Sequence, residues 1–117
     1  MSVETLLFQN PVWHPGLNVT VRLGDKWARI MDSGCKEVEI KKTGSDEVLA
    51  KAKLKTYAKI PFSLIPTQWL EAEHDPKCRD MHGLRQEMIN AYGGKFDDDA
   101  DVTVLWFEVQ DGQSLRT

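Results

Sequence analysis

Cysteine is scarce. Among 117 residues only Cys35 and Cys78 occur, too few for a disulfide framework or a zinc cluster. No apolar run is long enough to cross a bilayer, so no membrane association is expected. The opening segment MSVETLLFQN lacks the basic start and long apolar stretch of a secretory signal. A cytoplasmic location is the default expectation, with both thiols free and the Asn18-Val19-Thr20 sequon unused. Neither sign of charge dominates: 15 basic residues face 18 acidic ones, for a net charge of −3. That excludes a uniformly basic nucleic-acid binder but not a local basic patch. Internal repeats, low-complexity tracts and linkers are also missing. What remains is 41% apolar and 28% charged, the composition of a single soluble domain.

The charge is unevenly placed. Arg22 to Lys59 holds ten basic residues and six acids, so the rest of the chain is strongly acidic, most densely at Asp97-Asp98-Asp99-Ala100-Asp101. A basic half suits an anionic partner such as RNA or a nucleotide. Lys51, Lys53 and Lys55 are its candidate patch, although alternating lysines also protect an edge strand. The acidic run reads as a solvated loop rather than a cation site, and neither metal nor cofactor is expected.

Periodicity sets out the elements. Residues 1–16, with Pro11, Pro15 and Gly16, read as an irregular lead-in; residues 17–109 form the domain; residues 110–117 form a polar tail. Leu17–Leu23 alternates as a strand does, with Val19, Val21 and Leu23 on one face. Asp25–Asp32 follows as a short helix burying Trp27, Ile30 and Met31 at i, i+3 and i+4. Lys36–Lys42 and Glu47–Tyr57 flank the turn Thr43-Gly44-Ser45-Asp46 and predict a hairpin. Ala50, Ala52 and Leu54 form its inward row. Thr67–Glu73 reads as a short helix ended at His74-Asp75-Pro76, because a residue before proline avoids the helical region. A longer helix, Met81–Tyr92, carries the stripe Leu84, Met88 and Tyr92 with Ile89 alongside. Asp101–Val109 is a strand apolar on both faces, hence central or helix-covered. The chain is therefore mainly β, α+β in class, and this order suggests a small closed or half-closed barrel carrying helices.

Between the first helix and the hairpin the chain reads Ser33-Gly34-Cys35-Lys36-Glu37-Val38-Glu39-Ile40-Lys41. This matches G-x-K-x-x-E-x-R, with Lys41 in the last slot, and resembles the signature of the ASCH domain, a relative of the PUA fold. The elements from Leu17 to Val109 follow a similar order. The resemblance implies a PUA-like β-barrel of five or six strands with three helices packed on it and a cleft beside the signature. It also implies binding of RNA or of a nucleotide or nucleoside. In the branch that resembles N4-acetylcytidine amidohydrolases, the motif Lys assists a Thr nucleophile and a downstream Glu completes the site. Here the Lys is Lys36, the Thr slot holds Glu39, and the nearest downstream acids are Glu73 and Asp75. A carboxylate is no equivalent of a hydroxyl nucleophile, so hydrolysis would run through water with Glu39 as base.

The same residues have a physical reading. Gly34 lets backbone approach a ligand, Lys36 adds a point charge, and Glu39 and Lys41 share one strand face. The expected ligand-binding set is Gly34, Lys36, Glu39, Lys41, Glu73 and Arg79. If the protein is an enzyme, a hydrolase of a modified nucleoside or of RNA, the catalytic set is Lys36, Glu39 and Asp75. His74-Asp75 with Arg79 is a second acid–base candidate. A lone Cys78 beside Lys77 and Arg79 reads as inert sooner than reactive. Trp27 and Trp106 read as core, and Trp13 or Tyr57 as the exposed aromatic for stacking. A protein-interaction module is the third reading, and no obligate protein partner is evident.

Overall fold

A computed structural model describes residues 4–110. The fold is mixed α and β, built on one five-stranded sheet of order β1-β3-β4-β5-β2. The strands are β1 (Glu4–Phe8), β2 (Leu17–Leu23), β3 (Glu37–Lys42), β4 (Ala50–Pro61) and β5 (Asp101–Gln110), and the helices are α1 (Lys26–Asp32) and α2 (Met81–Tyr92). All neighbouring strands are antiparallel except β1 and β3, which run parallel. The sheet is open: β1 and β2 are its edges.

The lead-in is thus not irregular throughout, since Glu4–Phe8 pairs with Val38–Lys42. Its short apolar run Leu6-Leu7-Phe8 carries no strand period, and the pairing is non-local. β4 starts later and ends later than the alternation predicts. An irregularity between Leu54 and Thr56 leaves Lys55 without a β5 partner, and such a bulge reverses which face successive side chains take. Ala50, Ala52 and Leu54 before it, and Tyr57 after it, pack on the same core cluster. Thr67–Ala72 is a 3₁₀ helix rather than an α-helix. Six residues between Pro66 and an extended Glu73 are too few to repay α-helix nucleation.

Two apolar clusters fill the molecule. On one face of the sheet Val19, Val21, Val102 and Val104 meet Leu84 and Met88 of α2, Phe62 and Leu70. On the other Leu6, Phe8, Val38, Ile40, Leu105 and Phe107 enclose Trp27 of α1. β5 lies between β4 and β2 and serves both clusters with alternate residues, as its two apolar faces predict. Trp106 packs edge-on against Trp69 at 5.1 Å. The tail beyond Gln110 lies outside the described residues.

Candidate functional site

The site begins with three consecutive polar residues that the fold buries. Glu73, His74 and Asp75 are 2%, 8% and 4% exposed. The proline at 76 holds Asp75 extended, at φ −103° and ψ 118°. The segment therefore leaves the 3₁₀ helix in extended conformation. Glu73 bridges Val19 in parallel, and the His74 amide donates to the Val19 carbonyl at 2.9 Å. This places the three residues along the free side of β2, facing β1.

Each of them is tied down. The Asp75 amide donates to Glu73 Oε1 at 3.0 Å, and Arg79 Nε donates to the Glu73 carbonyl at 3.0 Å. Asp75 Oδ1 accepts from the Lys77 amide and Oδ2 from Asn10 Nδ2, at 3.0 and 3.1 Å. His74 Nδ1 lies 2.9 Å from the Val12 carbonyl, which assigns it as donor and leaves Nε2 as acceptor. That Nε2 is 3.4 Å from Glu73 Oε1, and the ring packs tilted against Phe8, centroids 4.5 Å apart.

Between the edge strands lies a cleft of about 230 Å³. The end of β1, the middle of β2, the buried trio and the inner side of α2 line it, α2 contributing Glu87, Met88 and Tyr92. Arg22 crosses it. Its Nη1 donates to the Leu7 carbonyl at 2.7 Å and its Nε to Thr20 Oγ1 at 3.1 Å, while the guanidinium sits 4.8 Å above the Phe8 ring. No carboxylate among the described residues lies within 4.0 Å of it.

Burial decides the protonation states. It pushes the Glu73 carboxyl up to about 8, against the opposing Asp75 N–H and the Arg22 charge. It pushes His74 down to about 4, against the Val12 carbonyl. Near neutral pH the pair is therefore an uncharged acid beside an uncharged base. Such a carboxyl donates one hydrogen bond and accepts others. Burial, then the Glu73 and Asp75 charges, raises the Cys78 thiol, which makes it inert.

Neither a family model, nor a curated protein, nor a solved structure matches the chain. The site therefore stands on geometry.

That geometry separates the two halves of the expected ligand-binding set. Glu73 lines the cleft, as does Asp75, and Arg79 holds the trio from behind while itself exposed. Gly34, Lys36, Glu39 and Lys41 do not line it. Gly34 occupies an exposed turn at φ +99° and Lys36 is exposed. Glu39 and Lys41 do share a face, but Val38 and Ile40 point to the core, so that face is the outer one. Glu39 there opposes Lys51 on β4 and Thr5 on β1. The expected single pocket joining the signature to Glu73 and Asp75 is not formed, because strand alternation turns the signature away from the seam.

Lys51, Lys53 and Lys55 are exposed, yet acids alternate with them. Lys53 lies between Glu37 and Glu108 in register, and Lys55 Nζ is 3.6 Å from Glu108. Tyr57 donates to Asp32 at 2.6 Å and Trp13 is half-buried against the second cluster. No group of three or more His, Cys, Asp or Glu among the described residues is placed to hold a metal, and no helix among them is long and apolar enough to cross a membrane. Arg22, Asn10 and Tyr92 were not among the site residues expected from the sequence. Arg22 lies on the polar face of an alternating strand, a pattern that gives no sign that Asn18 and Thr20 on that face are buried.

Proposed function

We propose that the protein is an ASCH-like, PUA-like barrel module that binds a nucleobase, presented by RNA or by a nucleotide or nucleoside, in the seam between β1 and β2. The observation that carries this reading is Glu73. It is 2% exposed and lines the cleft. Oε1 takes the Asp75 amide, while Oε2 has no hydrogen-bond partner among the described residues. A buried polar atom without a partner is costly, and a ligand edge would supply one.

The chemistry suits a base. A nucleobase edge sets donors beside acceptors, and the cleft answers with an uncharged carboxyl, the His74 Nε2 acceptor and the Arg22 guanidinium. Phe8 and Tyr92 add aromatic surface. Pockets for drug-sized ligands run roughly 300–1,000 Å³, so a cleft of about 230 Å³ suits a single heterocycle, such as a base splayed from a single strand. The barrel reading draws support from the Arg22 bond to Leu7, which ties one sheet edge to the other, and from the Glu73 bridge to β2.

A hydrolase is the second reading, favoured by the 3.4 Å approach of His74 Nε2 to Glu73. An uncharged acid beside an uncharged base can pass a proton to a leaving group. In this reading the acid–base role falls to Glu73 and His74 instead of Glu39.

A thermal-stability screen with nucleosides, nucleotides and short single-stranded RNAs tests both readings. Glu73→Gln keeps the donor and acceptor of an uncharged carboxyl, so ligand stabilisation survives in it. Turnover of a modified nucleoside, if there is any, is lost in the same variant. No shift with any of these compounds would refute the binding reading.

A further inference from the structure

Arg22 lines the cleft, and no carboxylate among the described residues lies within 4.0 Å of it. Its Nε and Nη1 bond a hydroxyl and a backbone carbonyl, both uncharged. Nη2, with two N–H groups, has no partner among the described residues. The side chain is half-buried and stacked on Phe8. Glu73 is held uncharged near neutral pH by burial, and Asp75 and Glu87, which also line the cleft, lie beyond 4.0 Å of the guanidinium. A half-buried guanidinium at a cleft wall with N–H groups to spare can take a ligand acceptor. Tying β2 to β1 through the Leu7 carbonyl needs a donor but no charge, so the tie alone does not account for a guanidinium. Its planar fork matches the two oxygens of an oxyanion.

We infer that the Arg22 end of the cleft is an oxyanion subsite, so that the ligand seated at Glu73 carries a phosphate or carboxylate group. The inference rests on the reading of the seam as a ligand site and adds the ligand's charge. A nucleotide satisfies both ends of the cleft, whereas a neutral nucleoside satisfies one.

The test is a set of melting and titration measurements on the intact chain at constant ionic strength. Its arms are sodium phosphate, sodium acetate, the four common ribonucleosides and their 5′-monophosphates. The expected result is that one monophosphate binds about tenfold or more tightly than its own nucleoside, the usual scale for a hydrogen bond to a charged group. The preference should vanish in Arg22→Gln and persist in a variant with Lys51, Lys53 and Lys55 changed to Ala. Should Arg22→Gln fail to fold, Arg22→Lys keeps the charge without the fork and should show a reduced preference. The wild-type comparison of nucleoside with monophosphate decides in either case.

Equal binding of nucleoside and monophosphate would overturn the subsite while leaving the base site intact. Loss of the preference in the variant with Lys51, Lys53 and Lys55 changed to Ala would overturn it as well. Stabilisation by phosphate or acetate that depends on Arg22, with no response to any nucleoside or monophosphate beyond it, would uphold the subsite and remove the base. A gain with phosphate but not acetate would identify the anion as a phosphate. No response in any arm overturns both.

Discussion

Glu73 and His74 shift in opposite directions for one reason, burial, and this gives the protein a distinctive dependence on pH. The folded state holds the Glu73 proton up to about pH 8, whereas the unfolded chain releases it near 4.5. Stability from this group therefore falls as pH rises between those values. The folded state refuses the His74 proton down to about pH 4, whereas the unfolded chain takes it up near 6.5, so stability from His74 rises with pH over that interval. The slopes oppose one another between 4.5 and 6.5, and only the Glu73 slope remains above. Between pH 6.5 and 8 the protein should lose roughly 1–2 kcal/mol through Glu73. In Glu73→Gln that loss should disappear. Urea denaturation of both proteins at the two ends of the interval checks this, and an equal decline in both would contradict it. Glu73 and Asp75 were legible in the sequence as candidate acids and His74 as an acid–base candidate. Their shared burial was not, because it depends on Val12, Asn10 and Val19, all more than fifty positions away.

At the scale of elements, the strands and helices with a full period were legible. Leu17–Leu23 and Met81–Tyr92 form as their spacing predicts, and Leu84 and Met88 are the buried stripe of α2, with Ile89 off it and exposed. Glu4–Phe8 was missed because a five-residue edge strand is defined by its partner rather than by its own pattern. The signature was legible as a strand, but the orientation of its outer face relative to the seam was not. The start of α2 makes a further prediction. Asp80 caps the helix by accepting from the Gly83 amide at 2.7 Å, and the Gly83 Cα faces the Lys77 backbone so closely that an added Cβ would overlap the Lys77 carbonyl oxygen. In an open helix Gly→Ala is normally stabilising. Here Gly83→Ala should destabilise by about 1–3 kcal/mol, the scale of overpacking against a backbone that must move. Gly94, which has open space around its Cα, should tolerate Ala within about 0.5 kcal/mol. A thermal melt in which Gly83→Ala is as stable as the parent would show that α2 does not pack on the Pro76–Cys78 turn as described. Because that turn follows the buried trio directly, the same variant should also weaken whatever the cleft binds.

For the whole molecule, the open sheet and the placement of charge lead to one site. The lysines that give the middle of the chain its positive surplus lie on the outer face among Glu37, Glu39 and Glu108, where opposite charges moderate one another. Arg22, by contrast, lines the seam with no carboxylate among the described residues within 4.0 Å. Strand order explains this division. With β1 and β2 as the two edges, the gap between them is where side chains of distant segments converge, whereas β3 is flanked on both sides and offers only its outer face. The proposal is therefore positional: the ligand it calls for would enter the seam at Glu73 and Arg22 and would not lie against Lys36 and Glu39. The most direct measurement is a crystal structure of the protein grown with the ribonucleoside 5′-monophosphate that raises its melting temperature most. The account predicts base atoms within hydrogen-bonding distance of the Glu73 carboxyl, with phosphate oxygens on the Arg22 guanidinium. Density for the nucleotide against Lys36 and Glu39 on the outer face, with an empty seam, would contradict it.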